Sequence, residues 1–81
     1  MADFNFEVTK ELGVLSENRK SGWKREVNMV SWNGAEPKLD IRDWAPGREK
    51  MGKGISLSEG EAKALGEILA KNGYTCGKAG E

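Results

Sequence analysis

The sequence predicts an α+β fold in which four antiparallel strands precede one C-terminal helix, in the order β-β-β-β-α. Three observations carry this. Apolar and polar residues alternate with period two over residues 4–9 and 38–44, and two further short segments, 23–32 and 53–57, read as strands beside them. Asn33-Gly34, a pair that tolerates positive φ, stands between two of them as a hairpin turn. Only one stretch, after Ser58, repeats apolar residues at helical spacing. At 81 residues the chain makes one small domain. A domain of that size buries only about 60% of its unfolded surface, so self-association is a natural route to stability.

Phe4, Phe6 and Val8 alternate with Asn5, Glu7 and Thr9, and Leu12, Val14 and Leu15 follow a polar break at Lys10-Glu11. Gly13 is a candidate bulge in that first strand. Residues 16–22 are a polar loop. Residues 23–32 form the second strand, with Val27 and Met29 on one face and Asn28, Val30 and Trp32 on the other. Pro37 can only begin a strand or lie on an edge. In the third strand, 38–44, Leu39 and Ile41 face one way, the expected core side. Lys38, Asp40, Arg42 and Trp44 face the other. Residues 45–52 hold Pro46-Gly47 and several charges and read as a mobile loop, followed by a short fourth strand over 53–57.

Ser58 and Glu61 have the spacing of a capping box, and Leu57 and Ala62 that of a hydrophobic staple. Ala62, Leu65, Ile68 and Leu69 form the apolar stripe of a helix of roughly 14 residues, about 21 Å long. Asn72-Gly73 ends it. The expected ordered core is 4–73, with 74–81 a flexible tail. A single helix covers only one face of a sheet, so the other is either solvated or covered by a partner. Gly60 and Gly66 each cost about 1 kcal/mol in a helix relative to Ala. They mark either close helix–helix approach across a dimer interface or two tolerated weak positions.

Composition excludes most chemistry. There is no histidine, hence neither the commonest general base nor the commonest metal ligand. The single cysteine, Cys76, cannot form an internal disulfide, which favours a reducing, intracellular setting. Asp40 and Asp43 point to opposite faces of one strand, and Gly52-Lys53-Gly54 lacks the spacing of a phosphate loop. No catalytic residue, metal ligand or cofactor is expected. The N-terminus has neither a positive start nor a long apolar run, and no stretch approaches a bilayer span. The expected location is cytoplasmic, compatible with nucleoid association.

Thirteen basic and thirteen acidic residues cancel, which as a sum argues mildly against nucleic acid. Their distribution argues the other way. Residues 1–18 carry net −3, residues 19–53 net +4, and residues 54–81 net −1. All three tryptophans, Trp23, Trp32 and Trp44, lie in the basic middle segment. Cations follow phosphates, and exposed flat rings stack on unpaired bases without reading their identity. Core packing competes as an account of the tryptophans, and a solvated charged face as an account of the cations. The combination is more specific than either part.

The segments 32–44, Trp-Asn-Gly-Ala-Glu-Pro-Lys-Leu-Asp-Ile-Arg-Asp-Trp, and 50–58, Lys-Met-Gly-Lys-Gly-Ile-Ser-Leu-Ser, resemble the positive cofactor 4-like family of transcriptional coactivators, and in particular its bacterial YdbC-type members. The resemblance spans roughly residues 4–71. It implies a curved four-stranded antiparallel sheet with a C-terminal helix, a homodimer, and binding of single-stranded DNA with little sequence preference. Arg42 matches the arginine of the Asp-Ile-Arg motif and Lys53 the lysine before Gly-Ile-Ser-Leu, both DNA contacts in the family. Trp32 falls at the aromatic before the hairpin turn. Trp44 falls at or beside the aromatic pair after the arginine, with its register ambiguous by one. The family's basic position before Lys53 is Gly52 here.

The expected nucleic-acid-binding residues are therefore Lys24, Trp32, Lys38, Arg42, Trp44, Lys50 and Lys53. Lys24 and Lys38 rest on strand geometry alone, and Arg48 and Lys50 on their place in the loop. The expected partners are single-stranded DNA, with single-stranded RNA equally compatible, and a second copy of the chain. The rival expectation is a protein-interaction module that contacts the transcription machinery through the basic sheet face.

Overall fold

The computed structural model describes residues 5–74. Four antiparallel strands lie in sequence order: β1 (Phe6–Glu17), β2 (Lys24–Trp32), β3 (Lys38–Trp44) and β4 (Met51–Leu57). One helix, α1 (Glu59–Lys71), follows. The predicted order holds, with β4 beginning two residues earlier than the alternation alone indicated. Most of the predicted 74–81 tail, Cys76 included, lies outside the described residues.

The local signals act as their chemistry dictates. Asn33 and Gly34 both take positive φ, 52° and 80°, and the Ala35 N–H closes the turn onto the Trp32 carbonyl at 2.9 Å. The Ser58 hydroxyl accepts from the Glu61 N–H while the Glu61 carboxylate accepts from the Ser58 N–H, completing the capping box. At Gly54 a Cβ would lie 2.5 Å from the Arg42 Cβ and the Ile41 carbonyl oxygen. Only glycine lets β4 pass that close to β3.

β1 is one continuous strand of 12 residues rather than two pieces, because bulges absorb its broken alternation. Pairing with β2 shifts between Val8 and Lys10, between Glu11 and Gly13, and between Val14 and Ser16. Each shift leaves one extra residue: Thr9, Leu12 and Leu15. Every bulge adds right-handed twist and bends its strand. The result is a strongly curved sheet. Phe6 pairs with Trp32 and Trp44 with Lys24, eight positions apart along β2, about 26 Å in a flat strand. Yet the Phe6 and Trp44 ring centroids are 5.3 Å apart. Side chains cannot bridge that span unless the face between them folds inward.

Curvature reverses the expected core. Val27, Met29, Leu39, Ile41, Ile55 and Leu57 share the outer face, as alternation predicts, but they are only half-buried or, at Ile55, exposed. The fully buried side chains belong to the inner face: Val30, Trp44, Asn28 and Asp40. α1 rests lightly on β3 and β4. Ala62 and Leu65 are half-buried, whereas Ile68 and Leu69 at the end of the same stripe are exposed. A Cβ at Gly60 or Gly66 would enter open space, so no contact within the described chain requires glycine there.

Candidate nucleic-acid interface

The inner face is built on paired rows. Register places Glu26 opposite Arg42, Asn28 opposite Asp40, and Ser56 and Gly54 opposite Asp40 and Arg42 on β4. Polar groups buried this way must satisfy one another, and they do so in two clusters.

The first cluster centres on Asp40, whose side chain has no exposed surface. Arg42 donates from Nε to both carboxylate oxygens at 3.0 and 3.3 Å and from Nη2 to Oδ2 at 2.9 Å. Arg42 Nη1 donates to the Gly52 carbonyl at 3.1 Å. Ser56 Oγ donates to Asp40 Oδ2 at 2.8 Å and accepts from the Trp32 indole Nε1 at 3.0 Å. The circuit closes through space, since the Arg42 guanidinium lies 4.9 Å from the Trp32 ring centroid. Such a cation over an indole face gains about 0.5–2 kcal/mol, depending on desolvation. Trp32, Arg42, Ser56 and Met51 border an open hollow of about 340 Å³.

The second cluster centres on Glu26. Asn28 Nδ2 donates to Glu26 Oε1 at 3.1 Å, and Arg48 donates to the same oxygen from Nε and Nη2 at 3.2 and 2.9 Å. Glu11 on β1 pairs with Arg48 at 3.2 Å. Partial burial works against the Arg48 charge, but Glu26 and then Glu11 outweigh it and hold the guanidinium above its ordinary pKa. The segment predicted to be a mobile loop is therefore pinned. Residues Pro46–Arg48 form a 3-10 turn, with Gly47 and Arg48 at positive φ, and Arg48 ties that turn to β1 and β2. On the outer face, Arg25 and Asp43 form an exposed ion pair at 2.7 Å. The hydrogen bond from Arg25 holds the Asp43 carboxyl below its ordinary range.

The structure does not bring all the predicted site residues together. Trp32 and Arg42 meet at the hollow. Lys24 and Lys38 belong to the same face by alternation but lie towards opposite ends of the strands. Lys53 does not share that face: it and Gly52 stand opposite the single residue Asp43, in the bulge between β3 and β4. Lys50 precedes β4 in the connecting loop. All four lysines are exposed, and among the described residues none forms an ion pair.

Trp44 differs from its expected role as a stacking platform. Its ring is 1% exposed, beneath Phe6 at 5.3 Å and with the Arg48 guanidinium 5.9 Å from its centroid. The bend of the sheet turns that position into the core. The face expected to be basic is also mixed, because Asp40, Glu26 and Glu11 neutralise its two arginines. Phe6, Met51 and Ser56 were not visible as site residues. Only Ser56 carried a signal, as a polar residue between the apolar Ile55 and Leu57.

Fold and site together define a small α+β domain with an aromatic–arginine hollow on the inner face of a curved sheet. The sequence profile of the family described as Transcriptional Coactivator p15 (PC4) matches residues 19–68, and the chain belongs to that family. An uncharacterized protein of Treponema pallidum (strain Nichols) is 46% identical over 67 residues, which cover 83% of this chain and 78% of that protein.

Proposed function

We propose that this protein is a non-enzymatic single-stranded DNA-binding protein with little sequence preference, coactivator-like in its family character. The observation that carries the reading is the Trp32–Arg42 pair on the rim of the hollow. It sets a partly exposed aromatic surface beside a cation, which is what an unpaired base and its phosphate require. Exposed Lys24, Lys38, Lys50 and Lys53 supply further charge around the sheet, and family membership supports the same ligand. No helix among the described residues is long and apolar enough to cross a membrane.

Titrating oligo(dT) against the protein at low salt while following tryptophan fluorescence tests this. Quenching at micromolar protein is expected, and its absence refutes the reading. Single-strand binding should weaken with a log–log salt slope of about −0.7 per phosphate contacted, or about −3.5 if Arg42 and the four lysines all engage. A flat salt response would mean that these cations take no part.

The same reading makes the protein a homodimer that buries the outer aliphatic face and the end of α1. No residue of that helix is buried, and Ile55, Ile68 and Leu69 are exposed. Ile68→Glu places a charge in the proposed seam and should shift the chain from dimer to monomer in sedimentation equilibrium. A wild-type chain that sediments as a monomer, or an Ile68→Glu variant that remains a dimer, would remove this face as the interface.

A further inference from the structure

We infer that Asp40 is a positioning residue of the strand-binding face: a buried carboxylate that orients Arg42 towards phosphate and, through Ser56, fixes the Trp32 indole beside the same guanidinium. The inference rests on the nucleic-acid reading of this face and adds what makes the face work.

A carboxylate on a surface meant for phosphates should oppose binding by simple charge repulsion. The geometry indicates the reverse. A guanidinium carries five N–H groups. Within this chain Arg42 commits three of them, Nε and one of Nη2 to Asp40 and one of Nη1 to the Gly52 carbonyl. One N–H remains on each terminal nitrogen, and the residue borders the open hollow. Two donors on one rigid, charged plane are left for phosphate oxygens, and charge-assisted hydrogen bonds of this kind are among the strongest available. A free arginine would first have to lose rotamer freedom to present them. Here Asp40, with no exposed surface, has already imposed that order.

The same carboxylate reaches the base-stacking element. Asp40 Oδ2 accepts from Ser56 Oγ, and Ser56 Oγ accepts from Trp32 Nε1. Ring and fork are thus indexed to one buried anion. Glu11 offers the contrast. It also pairs with an arginine of this face, but its side chain is 70% exposed and among the described residues it pairs with Arg48 alone.

The two acids therefore have opposite expected signs. Asp40→Asn makes the protein one charge more positive yet should bind oligo(dT) about five- to ten-fold more weakly, with the salt slope flatter by about 0.7 because one phosphate contact is lost. Glu11→Gln should bind more tightly. In an Arg42→Lys background, which keeps the charge but removes the fork, Asp40→Asn should cause a clearly smaller loss, since only its hold on Ser56 and Trp32 is left to remove. Ser56→Ala alters no charge and should weaken binding and reduce tryptophan quenching, so the inference stays testable if Asp40→Asn fails to fold. Asp40→Asn binding as tightly as wild type or more tightly would overturn the inference. So would an undiminished loss in the Arg42→Lys background, or unchanged affinity and quenching for Ser56→Ala. A wild-type protein that ignores oligo(dT) refutes the proposed function itself, a result distinct from any of these.

Discussion

Arg42→Ala is expected to cost about 3–5 kcal/mol of folding stability, the usual penalty for leaving one member of a buried ion pair without its partner. The cause is Asp40 rather than the lost arginine contacts. Its carboxylate has no exposed surface, and Arg42 is its only charged partner among the described residues. Among the described residues Ser56 alone remains as a side-chain donor to it. A domain of 81 residues has of the order of 4–12 kcal/mol to lose, so urea denaturation should show a much lower midpoint or no folded baseline. Arg42→Ala combined with Asp40→Asn removes the stranded charge and should recover most of the loss. If the single variant unfolds with the wild-type midpoint, the pair is not what holds the inner face. The asymmetry also has a practical consequence. Loss of DNA binding by Arg42→Ala alone would say little about phosphate contact, because the variant disrupts the site it probes. Arg42→Lys is the cleaner probe of the fork.

That asymmetry was half legible in the sequence. Alternation over residues 38–44 puts Asp40 and Arg42 on one face without any structure, and the helix start follows from Ser58 and Glu61 for local reasons. What alternation cannot state is which face becomes the interior. That is decided by curvature, and curvature comes from the extra residues Thr9, Leu12 and Leu15. In the sequence these look like a strand interrupted by polar residues, with Gly13 the only hint. The partners of each buried acid are equally non-local. Ser56 meets Asp40 only because the bulge at Gly52-Lys53 sets the β3–β4 register. Arg48 reads as a loop charge until the fold brings Glu11 and Glu26 to it. Residue types at the site could thus be read from the chain, whereas the pairing that neutralises the arginines could not.

Trp44 and Trp32 give the most direct test of that difference. Trp44→Ala should cost about 3–5 kcal/mol, as large-to-small changes of buried aromatics do, because it empties the space beneath Phe6 and the Arg48 turn. Trp44→Phe should cost far less. It keeps most of the ring contacts and removes a buried Nε1–H that has no partner among the described residues, a group that is costly to leave unpaired. A folded Trp44→Phe protein should bind oligo(dT) with wild-type affinity. Trp32→Ala should show the opposite pattern. Its ring is only half-buried, so the stability loss is smaller, while losing one stacked base removes about 1–3 kcal/mol of binding, roughly five- to 150-fold in affinity. Measuring urea midpoints and oligo(dT) affinity on these three variants separates core from contact. If folded Trp44→Phe loses affinity as Trp32→Ala does, the ring beneath Phe6 must become exposed when DNA binds. The inner face would then open around its ligand instead of receiving it preformed.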